Sequence, residues 1–155
     1  MIPAGIPAPD FSLPDTTGRQ VELRQSGVPV LVVFLPAAFT PVCSGELHAL
    51  DRVREAVPEG ARVVAVACDS MFALRTWRDQ ERVGVELLSD FWPHGRVSRA
   101  FGAFDAGSGL STRASFAIDT TGVVRWSTQS PAGIARDMDE HATKVRELRE
   151  YGDCG

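Results

Sequence analysis

Cys43 is the residue with the clearest potential for chemistry, because of its place between a predicted strand and a predicted helix. It follows the apolar run Val30 to Leu35, which is typical of a buried strand. Thr40 is a favoured N-cap residue and Pro41 suits the first helical position, so Cys43 is predicted in the first turn of the helix. Unpaired N–H groups and the helix dipole favour a thiolate there, and the thiolate is the nucleophilic form. The sequence therefore predicts a reactive cysteine.

The other two cysteines, Cys68 and Cys154, stand far from Cys43 along the chain. Because the number of cysteines is odd and no pair has C-x-x-C spacing, neither a disulfide framework nor a dithiol reductase motif is expected. Cys68 follows the apolar run Val63 to Ala67, where a small buried residue packs well. Cys154 belongs to a terminal tail, where exposure is expected. Cys43 is thus the candidate nucleophile.

The elements that position Cys43 predict an α/β fold. Val30 to Leu35 and Val63 to Ala67 are continuous apolar runs, typical of strands buried on both faces. The segment between them carries apolar residues at helical spacing: Leu47, Leu50, Val53 and Val57. Strand, helix and strand in this order form a right-handed crossover, which brings the carboxyl ends of both strands to one edge of the sheet. Ligands tend to bind at that edge.

Further elements complete one predicted domain, residues 1–155. Apolar residues alternate on both sides of Asp15-Thr16-Thr17-Gly18, which predicts an N-terminal β-hairpin. Ser70 is a predicted N-cap for a second helix that Gly84 ends. The remaining predicted strands are Val85 to Leu88, Thr112 to Ile118 and Val123 to Thr128, and a last helix carries Ile134, Met138, Val145 and Leu148.

Composition and charge argue against several classes of protein. The formal net charge is -4 and the 16 basic residues are scattered, which disfavours nucleic-acid binding. The longest apolar run, Val28 to Phe39, is too short to cross a bilayer, and Met1 to Pro14 lacks the basic region of a secretory signal. A cytoplasmic location is therefore expected. The histidines have no metal-ligand spacing, so no metal is expected: His48, His94 and His141.

The residues around Cys43 carry a resemblance to a known family. Pro36, Thr40 and Cys43 fit P-x-x-x-T-x-x-C, which resembles the active-site motif of peroxiredoxins. The resemblance covers nearly the whole chain, from Ala8-Pro9-Asp10-Phe11 to Phe116-Ala117-Ile118-Asp119. It implies a thioredoxin-like fold, with a central mixed sheet flanked by helices and an N-terminal β-hairpin.

Two segments, residues 39–47 and 88–95, are similar more narrowly to the alkyl hydroperoxide reductase E branch, which usually works with one catalytic cysteine. The resemblance implies a thiol-dependent peroxidase. It would reduce hydrogen peroxide or alkyl hydroperoxides through a sulfenic acid on Cys43, without a bound cofactor.

The resemblance also implies roles for the site residues. Thr40 would bind the peroxide and the thiolate, and Pro36 would shield the sulfur. Arg113 matches the arginine that stabilises the thiolate and the developing charge, and Glu46 matches a glutamate that orients the arginines. The residues that could supply a second active-site arginine are Arg96, Arg99 and Arg136.

How the enzyme is recycled stays open at the level of sequence. The leading expectation is an external thiol, either thioredoxin or a low-molecular-weight thiol such as mycothiol acting with a glutaredoxin-like protein. A two-cysteine mechanism with Cys154 as the resolving residue is one alternative, and Cys68 is a less exposed candidate for that role. A non-enzymatic redox sensor that uses Cys43 oxidation is another alternative. The resemblance implies a homodimer or a larger homo-oligomer, with no nucleic acid or membrane as partner.

Overall fold

The computed structural model describes residues 1–23 and 27–152, which form an α/β domain around a five-stranded mixed sheet. In chain order the elements are β1 Ser12–Pro14, β2 Gln20–Glu22, β3 Val30–Phe34, α1 Pro41–Ala56, β4 Arg62–Ala67, α2 Met71–Glu81, β5 Glu86–Ser89, α3 Arg96–Ala100, β6 Phe104–Asp105, β7 Leu110–Ser111, β8 Arg113–Ile118, β9 Val124–Ser130 and α4 Met138–Gly152.

The central sheet has the strand order β5-β4-β3-β8-β9. Strand β3 runs parallel to β4, and β4 runs parallel to β5, as the predicted crossover requires. Strand β8 runs antiparallel to β3, so the first residue of β8, Arg113, lies at the sheet edge where β3 ends. The start of α1 lies at the same edge. Topology alone therefore brings Cys43 and Arg113 together.

Both faces of the sheet are covered, and β3 is therefore buried along its whole length. On one face, Leu31 and Val33 pack into a core with residues of α1, α2 and α4, and Cys43 belongs to this core. On the other face, Val32 and Phe34 pack with α3 and with the hairpin formed by β1 and β2. The predicted N-terminal hairpin and central mixed sheet are confirmed.

The end of α2 differs from the expectation. Gly84 was expected to end the helix, but the helix ends at Glu81. Arg82 is the C-cap residue and has a left-handed conformation, with φ 54°. Gly84 lies after this end of the helix and packs beside the Arg54 guanidinium, which would have to shift to make room for a Cβ atom. The predicted N-cap is correct: Ser70 Oγ accepts a hydrogen bond from Ala73 N–H at 3.2 Å.

The last helix begins later than the apolar pattern indicated. It starts at Met138, and Ile134 is 59% exposed and lies outside it. The side chain of Asp137 accepts hydrogen bonds from the N–H groups of Asp139 and Glu140, so Asp137 caps this helix. Within the part of the chain that is described, we find no helix long and apolar enough to cross a membrane.

Candidate active site

Cys43 lies in the first turn of α1, as predicted. The helix begins at Pro41, and Ser44 N–H donates to the Thr40 carbonyl at 2.8 Å. The first N–H groups of a helix lack intrahelical acceptors, so the positive end of α1 is next to the Cys43 sulfur. The Cys43 side chain is 0% exposed. Access to the sulfur is therefore controlled by the residues that cover it.

The loop between β3 and α1 is held by Asp69, a residue that the sequence analysis did not single out. Ala38 N–H donates to Asp69 Oδ2 at 3.0 Å, and Ser89 Oγ donates to the Asp69 carbonyl at 2.6 Å. Phe39 in this loop has a left-handed conformation, with φ 66°, which is uncommon for a residue with a side chain. Asp69 follows β4, the strand next to β3, so its position in the sequence places it at the same sheet edge as Cys43. That position is the feature of the sequence that could have indicated its role.

Thr40 occupies the N-cap position, but its hydroxyl does not cap the helix. The Thr40 hydroxyl donates instead to the Ala37 carbonyl at 2.8 Å. The predicted N-cap position of Thr40 is therefore correct, although its side chain makes no capping hydrogen bond. Because the hydroxyl hydrogen is engaged by the Ala37 carbonyl, the oxygen lone pairs are held in a fixed direction, and they can accept a hydrogen bond from a ligand.

A cavity of about 340 Å³ adjoins the site. Its lining includes Pro36 and Arg113, two of the predicted site residues, together with the apolar side chains of Leu110 and Pro131. A cavity of this size has room for more than a hydrogen peroxide molecule, since one water molecule occupies about 30 Å³ in the liquid.

Arg113 connects the cavity to the sulfur. Its Nη1 lies 3.5 Å from Cys43 Sγ and also pairs with the Glu46 carboxylate. Its Nε and Nη2 donate to the carbonyl of Ala132, at 3.0 and 2.6 Å. The guanidinium is thus fixed from two sides. Because Ala132 acts through its backbone carbonyl, no residue type in the sequence could have indicated this contact.

Arg136 is the one of the three candidates for a second active-site arginine that contacts Glu46. Arg136 donates to Glu46 from its backbone N–H, from Nε and from Nη2, at 2.9, 2.8 and 2.9 Å. Arg96 and Arg99 belong to α3, which packs on the other face of the sheet. Glu46 therefore lies between two guanidinium groups, one of which contacts Cys43.

The two arginines keep Glu46 ionised. Burial alone would raise the pKa of this carboxyl, but the hydrogen bonds and charge of Arg136, with the charge of Arg113, outweigh it and hold the pKa below the ordinary value. Two guanidinium charges and one carboxylate leave the cluster with one net positive charge beside the sulfur.

The low pKa of Glu46 predicts a pH dependence of stability. A carboxyl with a lowered pKa in the folded state contributes stability above its unfolded pKa of about 4.3, and this is lost as the pH falls through the folded value. We expect Glu46→Gln to lower the urea unfolding midpoint at pH 7, and to lose less further stability than the wild type between about pH 4.5 and pH 3. Unfolding curves at a series of pH values give both quantities, and parallel losses in the two proteins would contradict the prediction.

Cys68 lies in a buried polar cluster on a different part of the sheet edge. Its sulfur is 3.4 Å from Ser111 Oγ, which is 2.7 Å from Ser98 Oγ, and Ser98 donates to Asp90. Burial raises the pKa of the Cys68 thiol, and the negative charge of Asp90 raises it further. At neutral pH this thiol is protonated and shielded from solvent, an environment typical of an inert cysteine.

Cys68→Ala is therefore expected to leave peroxide turnover within about twofold of the wild type, because it removes no group that contacts the site. The Ser98–Ser111 hydrogen bond remains, which limits the effect on folding. Steady-state peroxide consumption checks the prediction, and a loss of most turnover would assign Cys68 a role in recycling. Cys154, the other candidate for that role, lies outside the described residues.

Among residues 1–23 and 27–152, no group of three His, Cys, Asp or Glu side chains converges in a way that could hold a metal ion. The site is built instead from a thiol, two arginines, one glutamate and backbone groups.

Comparison with known proteins gives matches that agree with one another. Residues 4–127 match the family model described as the AhpC/TSA family, a span that includes Pro36, Thr40, Cys43 and Arg113. The chain is 37% identical over 144 residues to alkyl hydroperoxide reductase E of Mycobacterium tuberculosis, an alignment covering 89% of this chain and 92% of that protein.

Other similar proteins have the same fold or a related name. The chain is 30% identical over 152 residues to thioredoxin peroxidase of Fasciola hepatica, covering 90% of this chain and 77% of that protein. Its structure is similar to that of a peroxiredoxin-like protein from Aquifex aeolicus, with a TM-score of 0.87 and 26% identity, covering 95% of this chain and 88% of the other.

Proposed function

The chain belongs to the AhpC/TSA family of peroxiredoxins and is a thiol-dependent peroxidase, and we propose that it acts through a sulfenic acid on Cys43 that an external thiol recycles. The observation that carries this proposal is the position of Arg113 Nη1, 3.5 Å from Cys43 Sγ at the start of α1. A guanidinium and a helix N-terminus both stabilise negative charge, and here both act on one sulfur atom.

The first chemical step is an attack of the Cys43 thiolate on one oxygen of a hydroperoxide. A sulfur–oxygen bond forms while the oxygen–oxygen bond breaks, and the electron pair of the broken bond leaves with the second oxygen. That alkoxide or hydroxide takes up a proton and departs as an alcohol or water. Cys43 is oxidised to a sulfenic acid, and the peroxide is reduced.

Stabilisation of the developing charge is the main task of the surrounding groups. Arg113 would donate to the leaving oxygen as well as to the sulfur. Thr40 would accept a hydrogen bond from the peroxide O–H and so orient the oxygen–oxygen bond. Pro36, which borders the cavity, would limit access of water to the sulfur.

The charge of the cluster supports this assignment. Arg113, Arg136 and Glu46 together carry one net positive charge and are buried, and an unbalanced charge in the interior is costly. A thiolate on Cys43 would balance it, and the same groups would bind the leaving oxygen.

The role assigned to Thr40 predicts the effect of Thr40→Val. Valine has nearly the shape of threonine but no hydroxyl, so the peroxide loses the acceptor that orients it. We expect the second-order rate constant with hydrogen peroxide to fall by about tenfold to a hundredfold. Stopped-flow measurement of the wild type and the variant gives this ratio, and rates within about threefold would remove Thr40 from the reaction.

Recycling by an external thiol is the second part of the proposal. The thiol attacks the sulfenic acid, a mixed disulfide forms and water leaves; a second thiol then attacks the mixed disulfide and releases Cys43. The burial of Cys68 supports an external source. We propose a thioredoxin-type protein, or a low-molecular-weight thiol with a glutaredoxin-like protein, as the reductant, and a homodimer or larger homo-oligomer in the cytoplasm as the working form.

The experiment that tests this proposal compares the wild type with Cys154→Ser in steady-state turnover, with hydrogen peroxide and an external thiol system. We expect both proteins to consume many equivalents of peroxide at similar rates. Loss of turnover in Cys154→Ser would favour the two-cysteine mechanism. Consumption of a single equivalent per chain in the wild type, with every thiol reductant, would favour the sensor alternative.

A further inference from the structure

His141, on α4, lies behind the active site and is 0% exposed. Its Nδ1 is 2.6 Å from the carbonyl oxygen of Asp137. Because a carbonyl can only accept, Nδ1 carries the proton in this hydrogen bond. In the neutral imidazole, Nε2 is then an acceptor. The backbone carbonyl of Asp137, the residue that caps α4, thus fixes the tautomer of a buried histidine.

The acceptor Nε2 of His141 is used by Ser115 on β8. The Ser115 hydroxyl oxygen lies 2.7 Å from Nε2, so the hydroxyl donates to the histidine. The same oxygen accepts a hydrogen bond from Arg136 Nη1 at 3.0 Å. These contacts form a row of hydrogen bonds that runs from the Asp137 carbonyl through His141 and Ser115 to Arg136. The carbonyl at one end of the row sets which atom of each later member donates and which accepts.

Beyond Arg136 the row continues to the nucleophile. Arg136 donates from Nε and Nη2 to the two oxygens of Glu46, which pairs with Arg113. Arg113 lies 3.5 Å from Cys43 Sγ. His141 is thus connected to the reacting sulfur through side chains that are all buried.

The surroundings of His141 keep the imidazole neutral. Burial is the largest effect and lowers its pKa, and the positive charge of Arg136 lowers it further. Together they outweigh the Asp137 carbonyl and the negative charges of Glu46 and Asp137, which raise it. The Trp126 and His141 rings pack in a T-shaped arrangement, with 4.9 Å between ring centroids. A neutral ring is the form that can accept from Ser115.

We propose that His141 is a positioning residue for the peroxidase reaction: it holds Ser115, and through Ser115 the Arg136–Glu46–Arg113 group, in the geometry that Cys43 requires. The inference rests on the proposed function of Cys43. It adds a residue about one hundred positions from the cysteine motif, which no local sequence pattern indicates.

The test compares His141→Leu with His141→Gln. Leucine fills much of the space but leaves the Ser115 hydroxyl without its acceptor, whereas the glutamine amide oxygen offers one in a similar place. We expect His141→Leu to lower the second-order rate constant with hydrogen peroxide by about tenfold and to reduce the ultraviolet thiolate absorbance of Cys43. His141→Gln should restore the rate to within about threefold of the wild type.

Val145→Ala is the matched control, because Val145 is 0% exposed on the same helix and belongs to the core rather than to the polar row. It should lower the urea unfolding midpoint without changing the rate or the thiolate absorbance. If folded His141→Leu reacts as fast as Val145→Ala, or if His141→Gln reacts as slowly as His141→Leu, the positioning role is overturned.

Ser115→Ala is a second test of the positioning role, and it changes a residue of β8 rather than of α4. It removes the hydroxyl between His141 and Arg136, so it should slow the reaction as well, and a wild-type rate in this variant overturns the proposal. In the double variant the two losses should not add, because both changes interrupt one row of hydrogen bonds. The proposed function fails separately, if wild-type protein reacts with peroxide without modification of Cys43.

Discussion

Cys43→Ser should abolish peroxide turnover. Serine has nearly the size of cysteine and fits the same buried position, but its hydroxyl does not ionise at neutral pH and is a poor nucleophile toward a peroxide oxygen. The net positive charge of the neighbouring arginines and Glu46 cannot compensate for this difference. We expect the rate to fall by at least about a thousandfold, to the level of the uncatalysed reaction.

Consumption of hydrogen peroxide by the purified variant measures this effect. The matched control is Cys68→Ala, which removes the other buried thiol and should keep its activity. Near-ultraviolet circular dichroism of Cys43→Ser shows whether the surrounding aromatic residues remain packed. Turnover within about tenfold of the wild type in the folded variant would mean that another residue carries the reaction.

Arg113→Ala should have the next largest effect, with a loss of about 10²- to 10³-fold in the second-order rate constant. The substitution removes the donor that faces Cys43 Sγ and changes the net charge of the buried cluster from positive to zero. Both the thiolate and the leaving oxygen lose stabilisation. Because the guanidinium also binds the Ala132 carbonyl through two N–H groups, Arg113→Lys should recover only part of the rate.

The control for this variant is Arg62→Ala. Arg62 is the first residue of β4, at the opposite edge of the sheet, and it forms a salt bridge to Glu86 with an N–O distance of 2.9 Å. Its removal costs a salt bridge without touching the site, so the rate constant should stay within about twofold of the wild type. Equal rates in Arg113→Ala and Arg62→Ala would exclude a catalytic role for Arg113.

Much of the fold is predictable because its signals are local. The β-branched run that becomes β3 is buried on both faces, and the helix after it has a proline at its start and apolar residues on one side. Strands β6 and β7 were missed, since two residues each are too short to show a period. The start of α4 was predicted too early because Ile134 and Met138 are four positions apart, which is helical spacing. The helix begins only after Asp137, whose side chain caps it.

The site, like the fold, contains some residues that local sequence patterns indicate and others that only the folded chain brings together. Pro36, Thr40 and Cys43 lie within eight positions and form a motif, so the sequence alone is enough to propose them as site residues. The choice of Arg136 depends on a contact with Glu46 across 90 positions, which only the fold brings together.

The second layer of the site has the least signal in the sequence. Ser115 and His141 each fit an ordinary core position in a strand or a helix, and only their hydrogen bonds to each other and to Arg136 distinguish them. The Ala132 carbonyl is a backbone group. Such contacts depend on packing between distant elements, and no residue spacing predicts them.

The central claim, that Cys43 forms a sulfenic acid which waits for an external thiol, is tested most directly by mass spectrometry of reduced protein treated with one equivalent of hydrogen peroxide in the presence of dimedone. We predict a dimedone adduct on the peptide that contains Cys43, and its absence from Cys43→Ser. A product without an adduct on Cys43, or a dominant Cys43–Cys154 disulfide that is lost in Cys154→Ser, would contradict the claim.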